Sequence, residues 1–192
     1  HPEYDIWVPE MIFYHLRTGT NYNKSQEKIV GGKNGFGAKL IFIWSEWGKI
    51  ETVNHIRQLK YTQECSNNLD IKNEPVIKKY PGKPYTKISF KPDYKRFQLT
   101  NLTNGMRKLF KRRVYDIAAV TDHSIKKVKL LFNEEEVKVY NFAQYINMYI
   151  GGRGDCKRIH EKYEERWEYA VTISPTHEFT QVSFVNGICT FK

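Results

Sequence analysis

The sequence predicts an α+β fold, with a mixed or antiparallel sheet carrying helices on one face. Three observations support this. Residues 85–90 alternate Tyr85, Lys87 and Ser89 against Thr86, Ile88 and Phe90, the period of a half-buried strand. Over residues 105–119, Met106, Phe110, Val114 and Ile117 recur at helical spacing and mark the expected core face of a helix. Several strand-like segments also follow one another directly between residues 47 and 90, which favours a layered sheet with helices packed on one side.

Taken in order, residues 1–10 carry Tyr4, Ile6, Trp7 and Val8 in an extended opening that ends at Pro9. Residues 10–16 read as a short helix with Met11, Ile12 and Leu16 as its apolar stripe and Pro9 at its start. Residues 17–25 are polar and turn-rich. Their Thr20 and Asn21 offer a hydroxyl and an amide to a ligand, or serve as ordinary turn residues. Leu40-Ile41-Phe42-Ile43-Trp44 is long and apolar enough for a buried helix or a strand. Residues 47–53 and 56–62 read as strands, and residues 70–79, with Pro75, as an irregular edge. Residues 127–140 predict a hairpin whose arms, 127–132 and 137–140, flank an acidic turn at Asn133-Glu134-Glu135-Glu136. Residues 142–150 predict a short amphipathic helix. Gly151-Gly152-Arg153-Gly154-Asp155 reads as a flexible boundary, and residues 166–173 and 179–191 as two further strands.

The chain has 192 residues, 40% hydrophobic and 15% aromatic, enough to bury a core in one domain or in parts of two. It has no signal-peptide pattern and no apolar run of membrane-spanning length. It opens on His1 rather than Met, the expected sign of a fragment. Cys65, Cys156 and Cys189 form neither a CxxC nor a zinc spacing, so a reducing compartment with ordinary thiols is expected. The sequons Asn23-Lys24-Ser25 and Asn101-Leu102-Thr103 are then silent. A formal charge of +10 points towards a polyanion, although a composition rich in Lys, Asn, Ile and Tyr is also what an AT-rich genome produces. Arg107, Lys108, Lys111 and Arg112 form either a solvated helix face or a DNA-contacting one.

The densest signal is Gly31-Gly32-Lys33-Asn34-Gly35-Phe36-Gly37-Ala38-Lys39-Leu40, with four glycines in seven positions. Such a run lets backbone N–H groups converge, and at a helix N-terminus it makes a natural phosphate cradle. It is not a Walker A loop, because Lys39 is followed by Leu40 and preceded by Ala38. Nor is it a dinucleotide fingerprint, since Leu40 stands where a third Gly or Ala belongs.

This loop lies in a longer order of motifs: Val8-Pro9-Glu10-Met11-Ile12-Phe13, Thr18-Gly19-Thr20-Asn21-Tyr22, the glycine loop, Tyr85-Thr86-Lys87-Ile88-Ser89-Phe90-Lys91-Pro92-Asp93, Arg112-Arg113-Val114-Tyr115-Asp116-Ile117 and Val182-Ser183-Phe184-Val185-Asn186. In that order and spacing the chain resembles the ATPase region of eukaryotic-type and viral type IIA DNA topoisomerases, which are GHKL ATPases. The resemblance covers essentially the whole chain. It implies that residues 40–44 are helical, and that residues 1–150 are the C-terminal part of a GHKL ATP-binding domain. Residues 151–192 would then begin a ribosomal S5-like transducer domain.

The resemblance also implies a nucleotide site formed by Gly19, Thr20, Asn21, Gly32, Lys33, Asn34, Gly35, Phe36, Gly37, Ala38 and Lys39, with ATP and Mg²⁺ as cofactors. Gly19 replaces a usual Ser, Lys33 a frequent Arg and Phe36 a frequent Tyr. No residue here matches the family's water-activating Glu or its Mg²⁺-binding Asn, so the metal ligand is expected outside this chain, and no catalytic residue is assigned. The parent would be an ATP-hydrolysing, homodimeric topoisomerase, an isomerase acting on a DNA duplex. It would be nuclear in a cell, or in the host cytoplasm or virion for a virus, and neither secreted nor in a membrane. The isolated chain is expected to be inactive. The alternative is a catalytically silent nucleic-acid-binding module on a GHKL scaffold, recognised by salt-dependent DNA binding that ATP does not alter.

Overall fold

The computed structural model describes all residues except 24, 26–29, 125–127, 165–166, 175 and 191–192. The chain forms two compact units. The first is built on residues 1–102, and the second on residues 103–192 together with Val30 and Gly31.

The first unit opens with α1 (Val8–Tyr14), in which Pro9 occupies a position that needs no backbone donor. The glycine loop leads into α2 (Gly37–Ile43), a helix as the resemblance implied despite its strand-like composition. Five antiparallel strands follow: β1 (Ser45–Asn54), β2 (Leu59–Ser66), β3 (Ile71–Lys72), β4 (Val76–Lys79) and β5 (Thr86–Pro92). The order is β3-β2-β1-β5, with β4 also on β2. β2 begins three residues later than expected because residues 54–58 form the hairpin turn, closed by Asn54 accepting from the N–H groups of Ile56 and Arg57.

Register puts Ile50 opposite both Gln63 and Ile88, so one sheet face presents Ile50, Tyr61, Gln63 and Cys65 inward. Against it pack Tyr14 of α1 and Phe42 of α2, whose rings meet edge-on at 5.1 Å. Helices on one face of an antiparallel sheet are what the α+β reading required. The opposite face carries cross-strand pairs such as Lys60–Glu51 at 2.7 Å.

The second unit contains α3 (Asn104–Val120), a hairpin of β6 (Leu131–Phe132) and β7 (Glu135–Glu136), and α4 (Phe142–Ile150). Two further hairpins follow, β8 (Arg158–Tyr163) with β9 (Trp167–Thr172), and β10 (Phe184–Val185) with β11 (Ile188–Cys189). Its core joins Ala118, Ala119, Val137, Val139 and Tyr145, with Val182 and Phe184 packed against them.

Three expectations are corrected here. The core face of α3 is not the whole 106/110/114/117 stripe: Val114 packs against the core, but Phe110 is 46% and Ile117 53% exposed, while Asp116, Ala118 and Ala119 are buried. Only the C-terminal half of α3 packs within this unit, and its small alanines set which side approaches. In the predicted 127–140 hairpin the turn is Asn133-Glu134, both at positive φ, so Glu135 and Glu136 become strand and residues 137–140 do not; its first residue lies outside the described set. The predicted strand 179–191 is a hairpin instead, turned at Asn186-Gly187, also both at positive φ; Phe191 lies outside the described residues. The strand expected over 166–173 is β9, whose partner β8 was not anticipated; Arg166 also lies outside the described set, as does Lys24 of the first sequon.

Candidate functional site

Two segments far apart in sequence meet in the first unit. The Asn21 amide donates to the Gly32 carbonyl at 3.0 Å, and the Tyr22 hydroxyl donates to the Asn34 carbonyl at 3.1 Å. The Gly19 N–H in turn donates to the Tyr22 hydroxyl at 3.4 Å. The Thr18 hydroxyl is anchored on the carbonyls of Met11 and His15, at 3.0 and 3.2 Å, which ties this platform to the end of α1. Gly35 sits at φ +65°, and a Cβ there would lie 2.7 Å from the Gly19 nitrogen. Only glycine allows the two segments to approach this closely.

Of the eleven residues singled out from the sequence, Gly19, Asn21, Gly32, Asn34 and Gly35 are therefore joined directly. Thr20, Lys33 and Gly37 are exposed beside them, and Phe36 and Ala38 are half-buried. Phe36 is the N-cap of α2, and its carbonyl accepts from the N–H groups of Lys39 and Leu40. Among the described residues no side chain caps this end of the helix. A Cβ on Gly37 would meet nothing within 4 Å, so protein packing does not require glycine there.

The other end of α2 is closed by side chains. The Ile43 carbonyl accepts from Arg96 Nη1 at 2.8 Å and from Asn68 Nδ2 at 3.2 Å, while the Ser45 hydroxyl donates to the Ile41 carbonyl at 2.6 Å. Arg96 also lies 4.5 Å over the Trp44 ring. These groups satisfy carbonyls that a helix leaves without partners. One end of α2 is sealed, and the end facing the glycine loop presents its first N–H groups.

Lys39, one turn inside that open end, is 4% exposed. Among the described residues its side chain has neither a hydrogen bond nor an ion pair. Burial lowers its pKa below the usual lysine value, as desolvation of a charge must. The arrangement offers backbone donors, a helix dipole and one desolvated cation to an anion.

Sequence reasoning missed Thr18 and Tyr22 as the stitches of the platform, although a hydroxyl-bearing residue beside a glycine turn is a usable signal. It could not have found Asn68 and Arg96, which reach Ile43 from 25 and 53 residues away.

No protein-family model matches the chain. It is 44% identical over 195 residues to DNA topoisomerase 2 of Acanthamoeba polyphaga mimivirus, across 100% of this chain and 15% of that protein. It is 41% identical over 199 residues to DNA topoisomerase 2 of Arabidopsis thaliana, across 100% of this chain and 13% of the relative. The crystal structure of the ATPase region of Saccharomyces cerevisiae topoisomerase II superposes with a TM-score of 0.88 at 38% identity, over 99% of this chain and 49% of that one. The ATPase and transducer domains of DNA topoisomerase II from Balamuthia mandrillaris give 0.87 at 33% identity, over 99% and 48%. The chain thus spans a small share of its curated relatives and about half of these solved regions.

Proposed function

The chain belongs with the ATPase region of type II DNA topoisomerases, and from that premise we propose that residues 32–39 cradle the triphosphate of ATP. The observation that carries this is Lys39, a buried ammonium without a partner among the described residues, beside an uncapped helix end. A buried charge is costly until an opposite charge meets it, and a triphosphate supplies that charge. The N–H groups of Gly37 and Ala38 add donors, and the helix dipole favours an anion at that end. Gly19, Thr20 and Asn21 border the loop, while Gly32, Lys33, Asn34, Gly35 and Phe36 shape its approach. ATP brings the phosphoryl group whose transfer to water drives the cycle; these residues bind and orient it. Mg²⁺ is a different matter. Among the described residues no three His, Cys, Asp or Glu side chains gather to hold a metal, so these residues do not by themselves supply a site that fits the ion.

On the same reading residues 1–150 are the C-terminal part of the ATP-binding domain and residues 151–192 begin the transducer. Val182 and Phe184 share a core with residues 118–145, so this boundary is a change of role rather than a break in packing. In the complete enzyme, a homodimer, ATP binding would close a gate on a DNA duplex in the nucleus, or in the cytoplasm or virion of a viral system. No described helix is long and apolar enough to cross a membrane.

The test is calorimetry on a polypeptide holding the complete ATPase region. Lys39→Ala should weaken ATP roughly ten- to hundred-fold, the worth of a charge-assisted contact, and leave adenosine unchanged. Gly37→Val should abolish ATP binding, because a β-branched side chain bars the phosphates from the backbone. Equal losses for ATP and adenosine would return Lys39 to a structural role. DNA binding that responds to salt but not to ATP would instead favour the silent module.

A further inference from the structure

In the second unit, Arg153, Cys156, Lys157, Arg158 and His160 line an open cavity of about 540 Å³. Three of the five are permanent cations, and no lining residue is a carboxylate. The hairpin makes the space. Arg158 and His160 are two apart on β8, so they share a face, and they stand opposite Thr172 and Ala170 on β9.

The local acids do not neutralise the lining. Asp155 is the one carboxylate between Gly151 and His160, and its Oδ2 accepts from the Gly152 N–H at 2.7 Å. Among the described residues Glu168 engages His160, with Oε1 at 2.9 Å from Nε2. Arg158 is held against the end of α4: Nη1 donates to Asn147 Oδ1 at 2.8 Å and Nη2 to the Gly151 carbonyl at 2.9 Å. Its Nε–H is buried without an acceptor among the described residues. An orphaned buried donor is expensive and marks a place where an acceptor is missing. Arg153 and Lys157 are exposed at the rim and have no ion pair among the described residues.

We propose that this cavity is a second anion site that takes a phosphate group, with Arg158 as its fixed wall and Arg153 and Lys157 as closing arms. Guanidinium groups suit a tetrahedral oxyanion because several N–H donors are fixed in one plane. The phosphate can be free, as phosphate or pyrophosphate, or part of a nucleic-acid backbone. The site does not depend on the glycine loop, so Gly37→Val should leave it unaltered.

Cys156 lines the cavity and serves as its reporter. Iodoacetamide modification of the full chain, followed peptide by peptide by mass spectrometry, should slow at Cys156 when pyrophosphate is added, while Cys189 is unaffected. At twice the dissociation constant the slowing is about three-fold. Arg153→Gln with Lys157→Gln should remove the protection at unchanged thermal stability. Should that double variant misfold, Lys157→Gln alone should weaken it. A DNA duplex forms the second arm: protection by duplex alone assigns the phosphate to a nucleic-acid backbone, and protection by pyrophosphate assigns it to a free anion. No protection by either, equal protection by sodium chloride at matched ionic strength, or protection that survives in a folded variant would overturn the proposal.

Discussion

Lys39 in the first unit and Asp116 in the second are both charged residues buried on helices, 4% and 3% exposed. Their surroundings differ completely. Asp116 accepts from the Tyr145 hydroxyl at 2.6 Å and from Arg113 Nη1 at 2.9 Å, with Arg112 Nε at 4.0 Å. Burial first, then the bond to Asp116, pushes the Tyr145 hydroxyl well above the usual tyrosine range. Arg113 is held more firmly charged by Cys189 and then by Asp116. Lys39 has no such company among the described residues. The helix ends repeat the contrast. Thr103 caps α3 and Asn141 caps α4, but among the described residues no side chain caps the start of α2. A buried charge whose partners are supplied within the fold is structural. One without a partner among the described residues, beside an open helix end, is what the proposed phosphate cradle requires.

The largest expected effect tests the structural half of that contrast. Asp116→Ala takes the acceptor away from a buried tyrosine and a partly buried guanidinium, and should cost about 3 kcal/mol in urea denaturation. A loss below about 1 kcal/mol would mean that the network is decoration, and the contrast with Lys39 would lose its meaning.

Lys39→Met should act in the opposite direction. Removing a buried charge that has no partner among the described residues, while keeping the length of the side chain, should stabilise the unit by about 1–2 kcal/mol. It should also change the pH dependence. The folded state holds the Lys39 proton less tightly than the unfolded state, whose value is 10.5. Between the two values the unfolded chain binds more protons, so stability should rise with pH there, and the burial penalty is fully present only below the folded value. Denaturation at increasing pH should show that rise in the parent chain and not in Lys39→Met. Above pH 10 the buried hydroxyls of Tyr14 and Tyr61, raised mainly by desolvation, should turn the trend downward in both.

Much of the frame was legible where local chemistry and tertiary demand agree. Residues 142–150 are helical to the residue because Asn141 is a natural cap and Gly151 a natural stop. The glycine loop was legible for the same reason. Legibility failed where a partner decides. Residues 158–163 have only two apolar side chains, Ile159 and Tyr163, so their strand is set by pairing with β9 rather than by burial. The core face of α3 depends on which half of the helix has neighbours, which periodicity does not contain. At the site, Lys39 carries the residue type least expected in an interior, so its burial, the observation that matters most, could not be read from the sequence.

A middle-sized effect should come from the caps. Asn141→Ala removes the bond that Oδ1 accepts from the Gln144 N–H at 2.9 Å and should cost about 1 kcal/mol. Thermal melting of this variant measures what a closed helix end is worth in this protein, and hence what α2 forgoes by remaining open.

The smallest effect on stability, and the sharpest test, belongs to Gly37→Ala. A Cβ there meets no neighbour within 4 Å, and alanine is a better helix former than glycine, so stability should stay the same or rise by a few tenths of a kcal/mol. Gly35→Ala, two residues earlier in the same loop, should behave differently. Its Cβ would lie 2.7 Å from the Gly19 nitrogen at a φ of +65°, and it should lower the melting temperature. On the proposed reading the two glycines serve different ends: Gly35 lets the protein approach itself, and Gly37 would let a ligand approach the backbone. Calorimetry in the complete ATPase region completes the test. If Gly37→Ala melts normally and weakens ATP, the empty space beside α2 is the phosphate site. If it melts normally and binds ATP as the parent does, the open helix end is not where the phosphates lie, and Lys39 loses the role assigned to it here.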